Sequence, residues 1–175
     1  KICGALAGGN SIIIKDAEQT PFTLTLAVEL IYGALYETLG LERAIKLSGL
    51  VQLIHGDGKT GAHLVSNLHY NKAVFTGSVD VGNIVAGAAG SRGIPSHKEC
   101  GGHAAMVVLD DFDIELAVAE AINANLGDSG QRCVSTRVVF VQESNYEEFL
   151  KKYIERARER LDARGDPMDF ASEMG

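Results

Sequence analysis

Short, strongly apolar runs alternate along this chain with longer stretches whose apolar positions recur every three or four residues. Ser11-Ile12-Ile13-Ile14-Lys15, Val51-Gln52-Leu53-Ile54-His55 and Lys72-Ala73-Val74-Phe75-Thr76 have the length and β-branched content of strands. The first is apolar throughout its middle, the pattern of a strand buried on both faces. Ile2 to Ala7 reads as the end of a helix stopped by Gly8-Gly9-Asn10. Thr20-Pro21 predicts a helix start, with Thr as N-cap and Pro at the first position, where its missing N–H costs nothing. That helix should run on Leu24, Ala27, Val28, Ile31 and Leu35 to about Thr38 and stop at Gly40, with a short helix within Leu41 to Gly49. Gly56-Asp57-Gly58-Lys59-Thr60-Gly61 should open a helix through Leu64 and Val65, and Gly77-Ser78 one from Val79 to Ala89. Strands alternating with helices across short links imply right-handed crossovers and a parallel sheet.

The same pattern resumes after Gly101-Gly102, the best boundary between two domains, 1–101 and 102–175. Ala105 to Leu109 predicts a strand, Asp113 caps a helix over Leu116, Ala117, Ala119 and Ala121, and Arg137 to Val141 predicts another strand. Ser144-Asn145-Tyr146-Glu147 has the form of a capping box and should open a helix to about Ala163. Glu147–Lys151 and Glu148–Lys152 pairs would lie on its wet face. Gly165-Asp166-Pro167 ends it.

The fold class is therefore α/β, and composition changes this picture little. Of 175 residues, 46% are hydrophobic and 22% charged, which is ordinary for a globular chain with extra glycine. A net charge of −7 with interspersed basic residues excludes an electrostatic footprint for nucleic acid. No apolar run suggests a bilayer span. Three cysteines, Cys3, Cys100 and Cys133, are too few for a disulfide framework and point to a reducing compartment such as the cytoplasm. The chain begins with Lys rather than Met, and both ends read as cut from a longer protein.

Candidate chemistry concentrates in Asn125-Leu126-Gly127-Asp128-Ser129-Gly130-Gln131-Arg132-Cys133-Val134-Ser135. So many turn-forming residues predict a tight surface turn ending on a thiol. The charge of Arg132, or a helix N-terminus just after Cys133, would favour a thiolate. These residues alone leave a reactive and a structural cysteine equally open. Ligands on parallel sheets bind outside the carboxyl ends of the strands, where Lys15–Glu18, Gly56–Gly61 and Thr76–Ser78 all fall. Gly56 to Gly61 matches G-x-G-x-x-G, with Asp80 nineteen residues beyond, the form of a dinucleotide fingerprint. Its rival is Gly77-Ser78, delivered by a strand onto a helix N-terminus, where backbone N–H groups and a hydroxyl suit a pyrophosphate. Either loop alone is also an ordinary tight turn. His97, Cys100 and His103, with Cys133, have metal-like spacing. A strand followed by two glycines is a poor platform for converging ligands, however, and no metal is predicted. His55, His63 and His69 read as surface or turn residues.

The motifs together are more specific. Ala5 to Asn10, Lys15-Asp16-Ala17-Glu18-Gln19-Thr20-Pro21, Phe75-Thr76-Gly77-Ser78 with Val81-Gly82, Glu99-Cys100-Gly101-Gly102 and Gly130-Gln131-Arg132-Cys133 occur in order. Across nearly the whole chain this resembles the aldehyde dehydrogenase superfamily. The resemblance implies the second half of a Rossmann-like cofactor domain followed by the start of an α/β catalytic domain. It implies Cys133 as nucleophile and Glu99 as the base that activates water. It places the pyrophosphate of NAD on Gly77, Ser78 and Gly82, the adenine against Val81 and the adenine-ribose hydroxyls on Lys15 and Glu18. The nicotinamide carboxamide falls on the carbonyl of Cys100, and Gly56 to Gly61 becomes a turn near the adenosine. Because Glu18 would repel a 2′-phosphate, NAD is expected over NADP. The substrate class would be aldehydes and the whole enzyme a homodimer or homotetramer. Transfer of the acyl group to coenzyme A, or a non-catalytic NAD-binding role, are the alternatives. Three features depart from the family pattern: Cys100 replaces a leucine, Asp16 adds a negative charge beside Lys15, and Leu30 to Gly49 is longer than usual. The oxyanion-hole asparagine and the nicotinamide-ribose carboxylate would lie outside this stretch, so alone it is expected to be inactive.

Overall fold

The computed structural model describes residues 1–169, 171 and 172. In chain order its elements are α1 (Ile2–Ala7), β1 (Ile12–Lys15), α2 (Pro21–Leu39), α3 (Leu41–Lys46), β2 (Val51–Ile54), α4 (Gly58–Asn67), β3 (Ala73–Gly77), α5 (Val79–Gly90), β4 (Ser96–Cys100), β5 (Ala104–Val108), α6 (Ile114–Leu126), β6 (Thr136–Val141) and α7 (Glu143–Asp162). They gather into two compact units, 1–73 with 85–97, and 74–84 with 98–175.

In the first unit β1 and β2 pair in parallel, Ile12 opposite Val51 and Lys15 opposite Ile54. This brings the two strand ends, and the residues just beyond them, side by side. The Tyr32 hydroxyl on α2 lies 2.7 Å from the Ser48 carbonyl and 2.8 Å from the Val51 carbonyl, which share its one hydrogen, and accepts from the Val51 N–H, fixing α2 to the start of β2. Contrary to the sequence expectation, β1 is not buried on both faces. Ile13 is 46% exposed, and its register partner Gln52 is exposed beside it. A polar residue opposite Ile13 leaves that face open. Strands β3 and β4 form a further two-stranded pair.

Helix α2 starts at Pro21 as predicted, but the Thr20 side chain makes no capping bond. With φ −137° and ψ 55°, Thr20 lacks the usual N-cap geometry. Gly40, at φ 79°, takes the left-handed turn that ends the helix. Against expectation, this 19-residue helix is long and apolar enough, by length and composition alone, to cross a membrane. Core helices of globular proteins pass the same test. None of its residues is fully buried, and Phe22, Leu26 and Leu30, spaced four apart, form an exposed apolar stripe.

In the second unit β5 and β6 pair in parallel under α6 and α7. The core consists of Val108, Ala117, Val118, Ala121, Ile122 and Phe149, with Phe149 stacked on Tyr153. Ala117, Val118, Ala121 and Ile122 recur at helical spacing, which is why α6 buries one face. The Asp113 carboxylate caps α6 as predicted, accepting from the Leu116 N–H at 2.9 Å. The capping box does not form. Helix α7 starts one residue before Ser144, and its N-cap is Gln142. The Gln142 side chain is committed to Asp110, accepting its N–H at 3.1 Å and donating to Oδ2 at 2.8 Å. This long-range bond sets the helix start in place of the local motif.

Glu115 on α6 meets Lys152 and Arg156 on α7, and Lys152 also reaches Glu148 at 3.0 Å, the pair predicted along α7. Glu147 and Lys151 form no such pair. The Lys152 hydrogen bond holds the Glu115 carboxyl below the ordinary glutamate range, against a smaller opposing pull from desolvation. A lowered folded pKa contributes stability that is complete above the unfolded value and lost as pH falls through the folded one. The unfolding midpoint of Glu115→Gln should therefore lie below wild type near neutrality. The gap should close on acidification below the glutamate range, as followed by circular dichroism.

Candidate active site

Cys133 stands in a turn braced from several sides. Asp128 (φ 50°), Ser129 (φ 56°) and Gly130 (φ 69°) lie consecutively in the left-handed region, so two non-glycine residues hold a strained conformation just before the thiol. The Arg132 side chain folds back over this bend. Its Nε lies 3.1 Å from Asp128 Oδ2, and Nη2 donates to the Asn123 carbonyl at 3.2 Å. A Cβ on Gly127 would fall 2.3 Å from Arg132 Nη2, so only glycine admits the guanidinium there. The Ser135 N–H donates to the Arg132 carbonyl at 3.1 Å, closing a β-turn in which Cys133 and Val134 form the tip. The Ser135 hydroxyl, 1% exposed, accepts the Arg132 N–H, and Asn125 Nδ2 donates to the Thr136 carbonyl at 2.9 Å.

The base of this turn rests on a bulge. Ala104 pairs with Thr136 but Ala105 with Val138, so Arg137 is an extra residue on β6. Its guanidinium donates to the Gly130 carbonyl at 3.2 Å. Cys133 is exposed at the tip. Two sequence expectations need correction. No helix follows Cys133, because Thr136 enters β6 directly. The Arg132 charge is engaged by Asp128 and holds the turn together. The bulge at Arg137 and the braces from Ser135 and Asn125 carry no sequence signature, since each depends on where strand and helix ends meet.

Glu99 is exposed near the end of β4. Side chains alternate along a strand, so Lys98 and Cys100 share the opposite face. Both reach α5: Lys98 Nζ bonds Asn83 Oδ1, and the Cys100 thiol lies 3.7 Å from the Ser78 carbonyl. A Cβ on Gly82 would meet Cys100 Sγ at 2.9 Å, and one on Gly77 would meet Phe75 Cζ at 2.7 Å. Gly77, Ser78, Gly82 and Cys100 are thus brought together at the first turn of α5. Val81 is exposed on that turn, and its N–H donates to Ser78 Oγ at 3.3 Å.

The two glycine turns now separate on physical grounds. At α4 the Asp57 carboxylate accepts the N–H groups of Lys59 (2.9 Å) and Thr60 (3.2 Å). A fixed negative charge already occupies the place a phosphate would take. At α5 the capping group is the neutral Ser78 hydroxyl, whose hydrogen remains available to an anion. The first turn thus already holds a carboxylate, and the second holds only a neutral hydroxyl.

In the first unit, Lys15 lays its stem over Gly61 and donates from Nζ to the Asp16 carbonyl at 2.6 Å. Glu18 is exposed, with Oε1 accepting from Gln19 at 3.3 Å. Asp16, next to Lys15, is a buried charged residue. Its side chain, 1% exposed, turns inward to His55 Nδ1 at 2.6 Å. Among the described residues, no three His, Cys, Asp or Glu side chains form a metal-holding group.

Parallel strand pairs alternating with helices, with strand ends that lead into glycine turns, define a Rossmann-like α/β chain. The sequence model of the aldehyde dehydrogenase family matches residues 1–175, and the chain belongs to that family. It is 37% identical to retinal dehydrogenase 2 of Mus musculus, over 100% of this chain and 32% of that protein. It is 36% identical to the mitochondrial aldehyde dehydrogenase of Mesocricetus auratus, over 100% of this chain and 33% of that one. Among solved structures, PnpE in complex with nicotinamide adenine dinucleotide superposes with a TM-score of 0.85 at 32% identity, covering 100% of this chain and 34% of PnpE. The chain spans about a third of the length of these relatives.

Proposed function

We propose that the protein carrying this chain oxidises aldehydes to carboxylic acids with a nicotinamide cofactor, through a covalent adduct on Cys133. The observation that carries the reading is the exposed thiol at the tip of a turn held by Arg132, Ser135 and Arg137. A scaffold of that kind presents a nucleophile without letting it swing. The Cys133 thiolate attacks the aldehyde carbonyl carbon and gives a hemithioacetal. A nicotinamide cofactor, when bound, would accept the hydride whose loss turns this adduct into a thioester. Glu99 takes a proton from water, the resulting hydroxide attacks the thioester carbonyl, and carboxylic acid leaves as the thiol is regenerated. This role requires Glu99 and Cys133 to serve one cleft.

Ser78, with the first-turn N–H groups of α5, would hold the pyrophosphate between Gly77 and Gly82. Val81 would meet the adenine, and the Cys100 carbonyl the nicotinamide carboxamide. Lys15 and Glu18 would take the adenine-ribose hydroxyls. Residues 1–101 then belong to the cofactor domain and 102–175 open the catalytic domain. Three free cysteines suit a reducing compartment. Assembly as a homodimer or homotetramer belongs to the same reading.

Two experiments test it on the full protein. Product analysis should find the free acid, formed at the same rate with or without coenzyme A. Acyl-coenzyme A as the main product would reassign Glu99. Efficiency with NAD should exceed that with NADP, since the Glu18 carboxylate meets the extra phosphate with like charge. Glu18→Ser should narrow the ratio about tenfold or more, chiefly through the KM for NADP. Equal ratios in variant and wild type would remove Glu18 from the site.

A further inference from the structure

Asp16 and His55 are thirty-nine positions apart, and the parallel register sets them side by side just beyond the ends of β1 and β2. Asp16 Oδ2 accepts from His55 Nδ1 at 2.6 Å, and His55 Nε2 lies 3.4 Å from Thr25 Oγ1 on α2. Thr25 donates its own hydrogen to the Pro21 carbonyl at 3.0 Å, so its hydroxyl is not presented as a nucleophile. The arrangement resembles a hydrolytic triad in outline only.

Its energetics point elsewhere. The Asp16 side chain is 1% exposed, and its other oxygen, Oδ1, has no hydrogen-bond partner. A buried carboxylate is tolerated only while donors compensate its lost hydration. Here that compensation comes through His55. Without the imidazole the carboxylate has reason to turn outward to water. The backbone of Asp16 would then move, and Lys15 with it, because the Lys15 ammonium is bonded to the Asp16 carbonyl. Glu18 follows two residues later on the same turn.

We infer that the Asp16–His55 pair is a latch that sets the pose of Lys15 and Glu18, and so governs affinity for the adenine-ribose hydroxyls of the cofactor. Both residues are positioning residues. The inference rests on the ribose assignment proposed above.

The test is calorimetric binding of AMP and of 2′,3′-dideoxyadenosine monophosphate to the full protein as wild type, His55→Ala and His55→Asn. His55→Ala should weaken AMP binding about tenfold. It should leave the dideoxy compound within twofold of wild type, because that ligand has no hydroxyl for Lys15 or Glu18 to hold. His55→Asn, which keeps an amide donor where Nδ1 stood, should restore most of the AMP affinity. Unchanged AMP binding in His55→Ala overturns the latch, as does an equal loss with both ligands, which would mark general damage. If His55→Ala is insoluble, His55→Leu, which fills the space without a donor, is read against the same ligand pair by the same criteria. Wild-type protein that binds both ligands equally well refutes the ribose assignment itself, and the latch with it.

Discussion

Cys133→Ala in the full protein is expected to lower aldehyde oxidation by at least about 10³-fold, while cofactor affinity stays within twofold of wild type. The size follows from the chemistry. Without the sulfur no covalent adduct forms, and the barrier must be crossed from a hydrated aldehyde that no side chain holds in place. The affinity should survive because Cys133 lies at a turn tip, whereas the proposed pyrophosphate site is at Gly77, Ser78 and Gly82. Steady-state rates and calorimetry on one preparation separate the two effects. A variant that keeps a tenth of its turnover would show that Cys133 only supports the fold. Cys100 is the natural control. It is partly buried against Ser78 and Gly82, so Cys100→Ser should keep turnover within a few-fold.

Glu99→Gln should act on a different step. Acylation needs no water-activating base, so the first turnover should proceed near the wild-type rate. Hydrolysis should then slow by about 10² to 10⁴-fold, the range for removing a general base. Rapid-mixing kinetics should show a burst of reduced cofactor equivalent to one site, and intact-mass measurement should find the acyl group on Cys133. A slow first turnover without a burst would mean that Glu99 acts earlier, or on the thiol itself. A variant hydrolysing at the wild-type rate would make Glu99 an ordinary strand-end carboxylate.

Local chemistry made most elements legible. Pro21 and Gly40 bracket α2, and Asp113 caps α6 as its position before the apolar run implied. The order of strands and helices was readable because each carries its own period. What depended on distant partners was not. Ser144 to Glu147 has every residue of a capping box, yet Asp110 claims Gln142 and the helix starts earlier. Ile13 looks like a doubly buried strand residue until its partner proves to be Gln52. The candidate site divides the same way. The thiol, the carboxylate and the glycine-serine turn are contiguous motifs. The Asp16–His55 pair, the Arg137 bulge and the return of Arg132 onto Asp128 arise only when separate segments meet. The Asp57 carboxylate on the first turn of α4 likewise shows only in the structure.

The run of left-handed residues at 128–130 bears on how this lineage can evolve. Side chains branched at Cβ are all but barred from such backbone, and most others enter it at a cost. Substitutions at these three sites should be tolerated mainly for glycine, asparagine, aspartate and serine. A side chain outside that set would have to shift the backbone that leads to Cys133.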